Sequence, residues 1–435
     1  MHNEDIKGDI TPPAANPTTS STETSSTETS SAVQQQEVSN FDFSFTGSGK
    51  DYFFICLRTF LLAVITLGIY DAWGTVERRR YLLRHTRLDE RGFDYHALPK
   101  TILIGRLIAV GILIGFQIAA PHFPQIIGGF VLLLLVFMPW LLVKAIRFRT
   151  RNTSYHNVRF DFTGSALGAF LVYIVLPLLV VVVVMLAFFL LSIVGGIGAM
   201  LTSGLGLPAM IASSVITMVM VLIPMLAGAT YITKKRRNYL FNHLRFGLSG
   251  FQLDFPMSKL FKTMMLVFFQ LLVVAVLFAI AAWAVMSAFD YNISSDPSGR
   301  ELAVFLTNPW LSLGLPIIIY SILGFIYSQY FVAVYNITLN HLSLDGGHHF
   351  KSTMRYWEFF KIIIVNIVAV ILSVGLLYPW AIIRFRRYQL SNARLIATGG
   401  IGHFINHQAT SGGAAAAELG AMEGLSDGIG DGIFG

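Results

Sequence analysis

Eight stretches of apolar sequence, each near the length of a bilayer crossing, constrain this chain more than any other feature. They cover residues 52–73, 101–120, 124–143, 166–191, 207–231, 263–289, 309–334 and 359–380. A membrane helix needs about 20 mostly apolar residues. Lipid tolerates no unpaired backbone group, so even Val180 to Val184, poor helix formers in water, are expected to be helical here. Only 13% of the 435 residues are charged, against about 25% in soluble domains. The expected class is an all-α polytopic membrane protein with about eight transmembrane helices.

The net charge of +7 is clustered rather than spread, which reads as topology and not as a nucleic-acid footprint. Connections near 74–100, 144–165, 232–262 and 336–361 hold 22 of the 31 arginines and lysines, whereas 121–123, 192–206 and 290–308 hold only Arg300. By the positive-inside rule the basic connections face the cytoplasm. A lone cysteine, Cys56, excludes an intramolecular disulfide. Residues 1–40 are polar and low in complexity and are expected to be disordered. A membrane domain follows over 41–405, then a flexible Gly/Ala-rich tail over 406–435.

The basic blocks also repeat. Aligned on His85, Asn152, His243 and Asn392, position −12 holds Trp73, Trp140, Tyr231 and Trp380, and −5 holds Arg80, Arg147, Asn238 and Arg387. Position −4 holds Tyr81, Phe148, Tyr239 and Tyr388, +3 holds Leu88, Tyr155, Phe246 and Leu395, and +8 holds Phe93, Phe160 and Phe251. A weaker fifth copy surrounds His341, without arginines. Offsets of −12, −8, −4 and 0 share a helical face. Each unit is therefore expected to be a membrane helix extended into the cytoplasm, followed by a short β-hairpin such as "TRLDERGFDY" or "LRFGLSGFQL". "FDFSFTG" at 41–47 is a further copy of "RFDFTG" at 159–164.

The stretch "TLGIYDAW…RRRYLLRHTRL…FDY" resembles the YjgN-like family of bacterial inner-membrane proteins of unknown function, over roughly residues 41–405. Ala72 stands where that family often has Pro; Pro139–Trp140 and Pro379–Trp380 keep the pair. The resemblance implies a multi-pass protein of the bacterial inner membrane and supplies no activity.

No phosphate-binding loop or dinucleotide fingerprint is present, and "GGIGAMLTSGLG" at 195–206 lies between apolar spans without cations. His403 with His407, and His348 with His349, lack a third ligand at useful spacing, so no cofactor or metal is expected. Nor is there a nucleophile or acid–base pair to make an enzyme. Polar groups inside apolar segments are costly and so informative: Arg58, Gln117, Gln270 and Asn366. No carboxylate lies in a span core, which weakens ion-coupled transport.

Two functions remain, a transport facilitator or channel and a non-catalytic scaffold that binds anionic lipid and a cytoplasmic partner. The candidate headgroup contacts are Trp73, Arg78, Arg79, Arg80, Tyr81, Trp140, Arg147, Lys234, Lys235, Arg236, Arg237, Tyr239, Trp380, Arg384, Arg386, Arg387 and Tyr388. Segments 52–73 and 359–380 have no Gly or Pro near their middles on which to turn, so both are expected to cross, leaving both termini outside.

Overall fold

The computed structural model describes residues 38–202, 207–288, 314–345, 347–398, 402 and 405, so the two expected tails lie almost wholly outside the described residues. One plan, strand, helix pair, strand, occurs five times. The first unit is β1 (Val38–Phe45), α1 (Gly49–Ile65), α2 (Asp71–Arg84) and β2 (Thr86–Leu88). The second is β3 (Arg91–Tyr95), α3 (Pro99–Ala119), α4 (Ile126–Arg151) and β4 (Thr153–Tyr155). In the third, β5 (Val158–Phe162) leads to α5 (Ala166–Phe170), which passes through a π-helical turn (Leu171–Val175) into α6 (Leu176–Thr202); α7 (Leu207–Asn242) and β6 (Leu244–Phe246) complete it. The fourth comprises β7 (Ser249–Leu253), α8 (Met257–Ala288), α9 (Leu315–Asn340) and β8 (Leu342–Leu344). The fifth is β9 (His348–Ser352), α10 (Tyr356–Leu372), α11 (Tyr378–Ser391) and β10 (Ala393–Thr398).

The expected hairpins do not stand alone. Ten antiparallel strands form one closed barrel in chain order, with β1 pairing β2 on one side and β10 on the other. The all-α expectation is corrected accordingly. Two-stranded hairpins of three and five residues are too short to be stable by themselves, and closure pairs every edge. Tight turns join successive units, two of them through positive-φ pairs, Asp89–Glu90 and His156–Asn157, the conformation that two-residue antiparallel turns require. Since strands alternate in direction, all five helix pairs leave by one end of the barrel. The tight turns and the outer ends of β1 and β10 share the other end.

The sequence repeat becomes a ring. Phe43 pairs Leu88, Phe93 pairs Tyr155, Phe160 pairs Phe246, Phe251 pairs Leu344 and Phe350 pairs Leu395, one inward pair per unit. These ten side chains line an apolar cavity of about 170 Å³ inside the barrel. Outward positions between them carry charge, as in the Asp42–Arg394 pair at 2.8 Å. The period-2 alternation thus puts rings inside and charges outside.

Five helices among the described residues are long and apolar enough to cross a membrane: Pro99–Ala119, Ile126–Arg151, Ala166–Gly198, Met257–Phe278 and Ile317–Asn340. Segments 52–73 and 359–380, expected to cross, instead fold back on themselves. The first turns at Thr66–Tyr70, with Leu67 and Gly68 at φ 51° and 90°; the second turns at Ser373–Leu377, with Val374 and Gly375 at φ 51° and 87°. A turn in lipid leaves no room for unpaired backbone groups, and these turns meet that demand locally. The amide N–H groups of Thr66, Gly68 and Asp71, and of Ser373, Gly375 and Tyr378, each donate to a nearby carbonyl. The Thr66 and Ser373 hydroxyls then accept from Tyr70 N and Leu377 N at 2.9 Å. The outer ends of β1 and β10 therefore lie on one side, at the barrel end away from the helices, rather than beyond a crossing.

The first turn-back depends on close approach of its two arms. Gly74 of α2 lies against the fully buried Thr59 of α1, and a Cβ there would collide with the Thr59 methyl group. Gly74→Ala is expected to cost about 1–3 kcal/mol by overpacking. Thermal melts in detergent should show that adding Thr59→Ala restores part of the loss.

Candidate functional site

The five helix pairs meet the barrel in a collar, and its repeated residues have distinct tasks. At the alignment position, His85, Asn152, His243, His341 and Asn392 each donate from a side-chain nitrogen to the carbonyl four residues earlier, at 2.8–2.9 Å. That bond satisfies one of the carbonyls a helix end leaves unpaired. The carbonyl of the same residue accepts from the backbone just past a neighbouring strand, as in Thr46 N to His85 O at 3.0 Å and Thr163 N to His243 O at 2.9 Å.

One step up, tyrosines tie the second helix to the foot of the first in the first, third and fifth units. Tyr81 Oη donates to Ser48 O at 3.0 Å, Tyr239 Oη to Ser165 O at 2.7 Å, and Tyr388 Oη to Arg355 O at 2.9 Å. The arginines reach onward to the next unit. Arg80 Nε donates to Tyr95 O at 3.1 Å. Arg147 donates to Phe162 O and Gly164 O, both at 3.1 Å, and Arg387 to Gly47 O at 3.1 Å. Asn336, at the same −5 position of the fourth unit, donates to Met354 O at 2.9 Å. These residues hold the ring of units together, a role that repetition alone did not disclose.

Other candidates face elsewhere. Arg78 bonds Asp71 at 2.9 Å, and Arg79 donates to Tyr95 Oη at 3.0 Å. Lys144, Lys235 and Arg384 lie over the rings of Trp140, Tyr231 and Trp380 at 5.9, 5.5 and 5.3 Å from the ring centres. Those aromatic residues are 38%, 38% and 36% exposed, so an exposed ring–cation pair recurs on three units. Trp73 stacks on Tyr70 at 6.1 Å, Arg236 covers Tyr173 at 5.2 Å, and Arg386 reaches Gln389 at 3.5 Å. Lys234 and Arg237 are half-buried on the same stretch of α7.

Of the polar residues singled out within apolar segments, Gln270 and Gln329 bond across α8 and α9 at 2.9 Å, Asn366 donates to Ala381 O at 3.2 Å, Arg58 pairs Glu77, and Gln117 is exposed. Sequence reasoning missed Arg106. Set in the apolar run of α3, it binds Asp71 at 2.6 Å and Thr75 at 3.0 Å, so one carboxylate joins two arginines from neighbouring units. Gln329 was legible, being the −12 residue of the fifth copy.

In the barrel wall, the Arg84 hydrogen bond holds the Asp94 carboxyl below the usual carboxylate range. Burial lowers His348, with the neighbouring His349 adding to it, and raises Tyr155 to about 12. His348 points inward and His349 outward, so the two do not converge on one ion. His403 and His407 lie outside the described residues. Among the described residues no three His, Cys, Asp or Glu side chains gather as a metal site.

Residues 40–422 match the family model described as bacterial protein of unknown function (DUF898). The chain is 27% identical over 359 residues to the inner membrane protein YjgN of Salmonella typhimurium, covering 80% of this chain and 86% of that protein. With YjgN of Escherichia coli K12 it shares 26% over 374 residues, 84% of this chain and 90% of that one. No solved structure matches the chain. With long apolar helices in place and the match running through all five units, the chain belongs to the DUF898 family of bacterial proteins of unknown function, as a multi-pass protein of the inner membrane.

Proposed function

We propose that the protein is a non-catalytic membrane scaffold whose collar grips anionic lipid while its barrel stands in the cytoplasm. The observation that carries this reading is the recurrence of an aromatic ring under a cation, at −12 and −8, on three units with nearly equal exposure. An amphipathic ring is at home at headgroup depth, and a cation beside it faces the phosphates. The concentration of arginine and lysine about the collar supports a cytoplasmic barrel by the positive-inside rule. The barrel's charged outer wall is then the surface open to a cytoplasmic partner.

A transport facilitator or channel receives less support, because the barrel axis is filled by apolar rings around a small cavity rather than by a polar path. Each cation near an anionic surface contributes about 1 kcal/mol. Changing Lys144, Lys235 and Arg384 together to Gln is therefore expected to weaken phosphatidylglycerol binding roughly 100-fold at low salt. Native mass spectrometry would read the lipid occupancy. Unchanged occupancy would sink the headgroup reading, and solute flux through proteoliposomes would revive transport.

A further inference from the structure

The five units differ in reach. Beyond the level of Trp140, α4 continues to Ile126, about 21 Å at 1.5 Å per residue. Beyond Tyr231, α7 runs to Leu207, about 36 Å. In the first and fifth units the second helix begins only two residues past Trp73 and Trp380, about 3 Å, and the chain turns back just beyond, at Leu67 and Val374. One leaflet of hydrocarbon is about 15 Å thick. Because β1 pairs β10, these two short units are neighbours in the ring, and α1 packs on α11.

We propose that the first and fifth units form a paired wedge that enters only the leaflet adjoining the barrel, its tips ending among that leaflet's acyl chains. This rests on the placement of the aromatic–cation band at headgroup depth. A second ruler agrees with it: Asp71, held by Arg78 and Arg106, sits at the level of Trp73, so the last charged group on α2 and the interfacial ring coincide. Past Asp71 and Tyr378 the tips carry no charged side chain, and the Thr66 and Ser373 hydroxyls are bonded to the turn backbone. Leu67 and Val374 are 94% and 92% exposed, and the turns beneath them bond their own amide groups. Hydrated loops do not need that internal satisfaction; lipid-buried ones do. The occupant of this surface is therefore the acyl region of a single leaflet, and far-leaflet lipid can lie over the wedge within the ring's outline.

Spin labels read the depth directly. In a Cys56→Ser background, single cysteines replace Leu67, Val374, Leu133, Ile127 or Lys235 in bilayers containing lipids with nitroxides at chosen chain positions. Labels at 67 and 374 should report acyl depth, near that of 133 on α4, while 127 reports the far leaflet. Reaction of Leu67→Cys with an impermeant maleimide from the face opposite the barrel would overturn the wedge. So would tips shielded from lipid nitroxides at every depth, the sign of a protein cover. The label at 235 separates the two ideas: if it lies away from the headgroups, the band reading fails whatever the tips report.

Discussion

Phe251→Ala is expected to lower the stability of the barrel by about 3–5 kcal/mol, the range for emptying a buried aromatic site. Phe251 is 7% exposed, pairs Leu344, and lies between Phe160 and Phe350 at ring-centre distances of 6.5 and 6.1 Å. Its loss would enlarge a cavity already present, and the neighbours are held by closed strand pairing and cannot collapse inward. Phe251→Leu should cost much less, because it retains most of the volume. Melting of the purified protein in detergent, followed by tryptophan fluorescence, would order wild type, Leu and Ala. An alanine variant as stable as the leucine variant would mean that the ring does not hold the barrel.

Arg147 supplies the second large effect, and it separates architecture from topology. Its guanidinium bridges two carbonyls of the next unit, at Phe162 and Gly164. Hydrogen bonds to a charged group contribute about 1.5–3 kcal/mol each, and a buried carbonyl left without a partner adds cost. Arg147→Ala is expected to lose roughly 2–4 kcal/mol. Arg147→Lys keeps the charge that the positive-inside rule counts, but a lysine lacks the planar fork that spans both acceptors. Lysine should therefore preserve insertion and orientation while recovering less than half of the stability. Equal stability of the lysine variant and the wild type would return Arg147 to a purely topological role.

Much of this was legible because repetition multiplies weak signals. The +3 and +8 positions hold most of the barrel ring, and the −12 position holds the band. Closure was not legible. Strands of three and five residues carry little pattern, and the pairing of Phe41 with Leu395 links residues at opposite ends of the chain. The turn-backs were hidden for another reason. "TLGIY" and "SVGLL" are as apolar as the helices they interrupt, and what allows the turn is one hydroxyl and one glycine rather than a polar loop. Sequence spacing showed that Arg80, Arg147 and Arg387 mattered, but not that their partners are backbone carbonyls, which carry no signature in a sequence. Arg106 escaped because a single cation in an apolar run is noticed only when its carboxylate partner, thirty-five residues earlier, is known.

Pairing of the first strand with the last has a consequence for biogenesis. β1 emerges ahead of the rest of the barrel, yet one of its partners, β10, is made only after all five helix pairs have been delivered to the bilayer. At about 5–20 residues per second, the intervening 350 or so residues take on the order of 20–70 s. Throughout that time the Val38–Asp42 half of β1 presents an open edge beside the ribosome. Its Asp42, which later meets Arg394, breaks the run of phenylalanines at positions 41, 43 and 45, a charge of the kind that discourages edge-to-edge association. The nascent protein is thus a growing arc of units that becomes a barrel in a single last step, and chain truncations anywhere before Ala393 should accumulate as open arcs, sensitive to protease at the β1 edge.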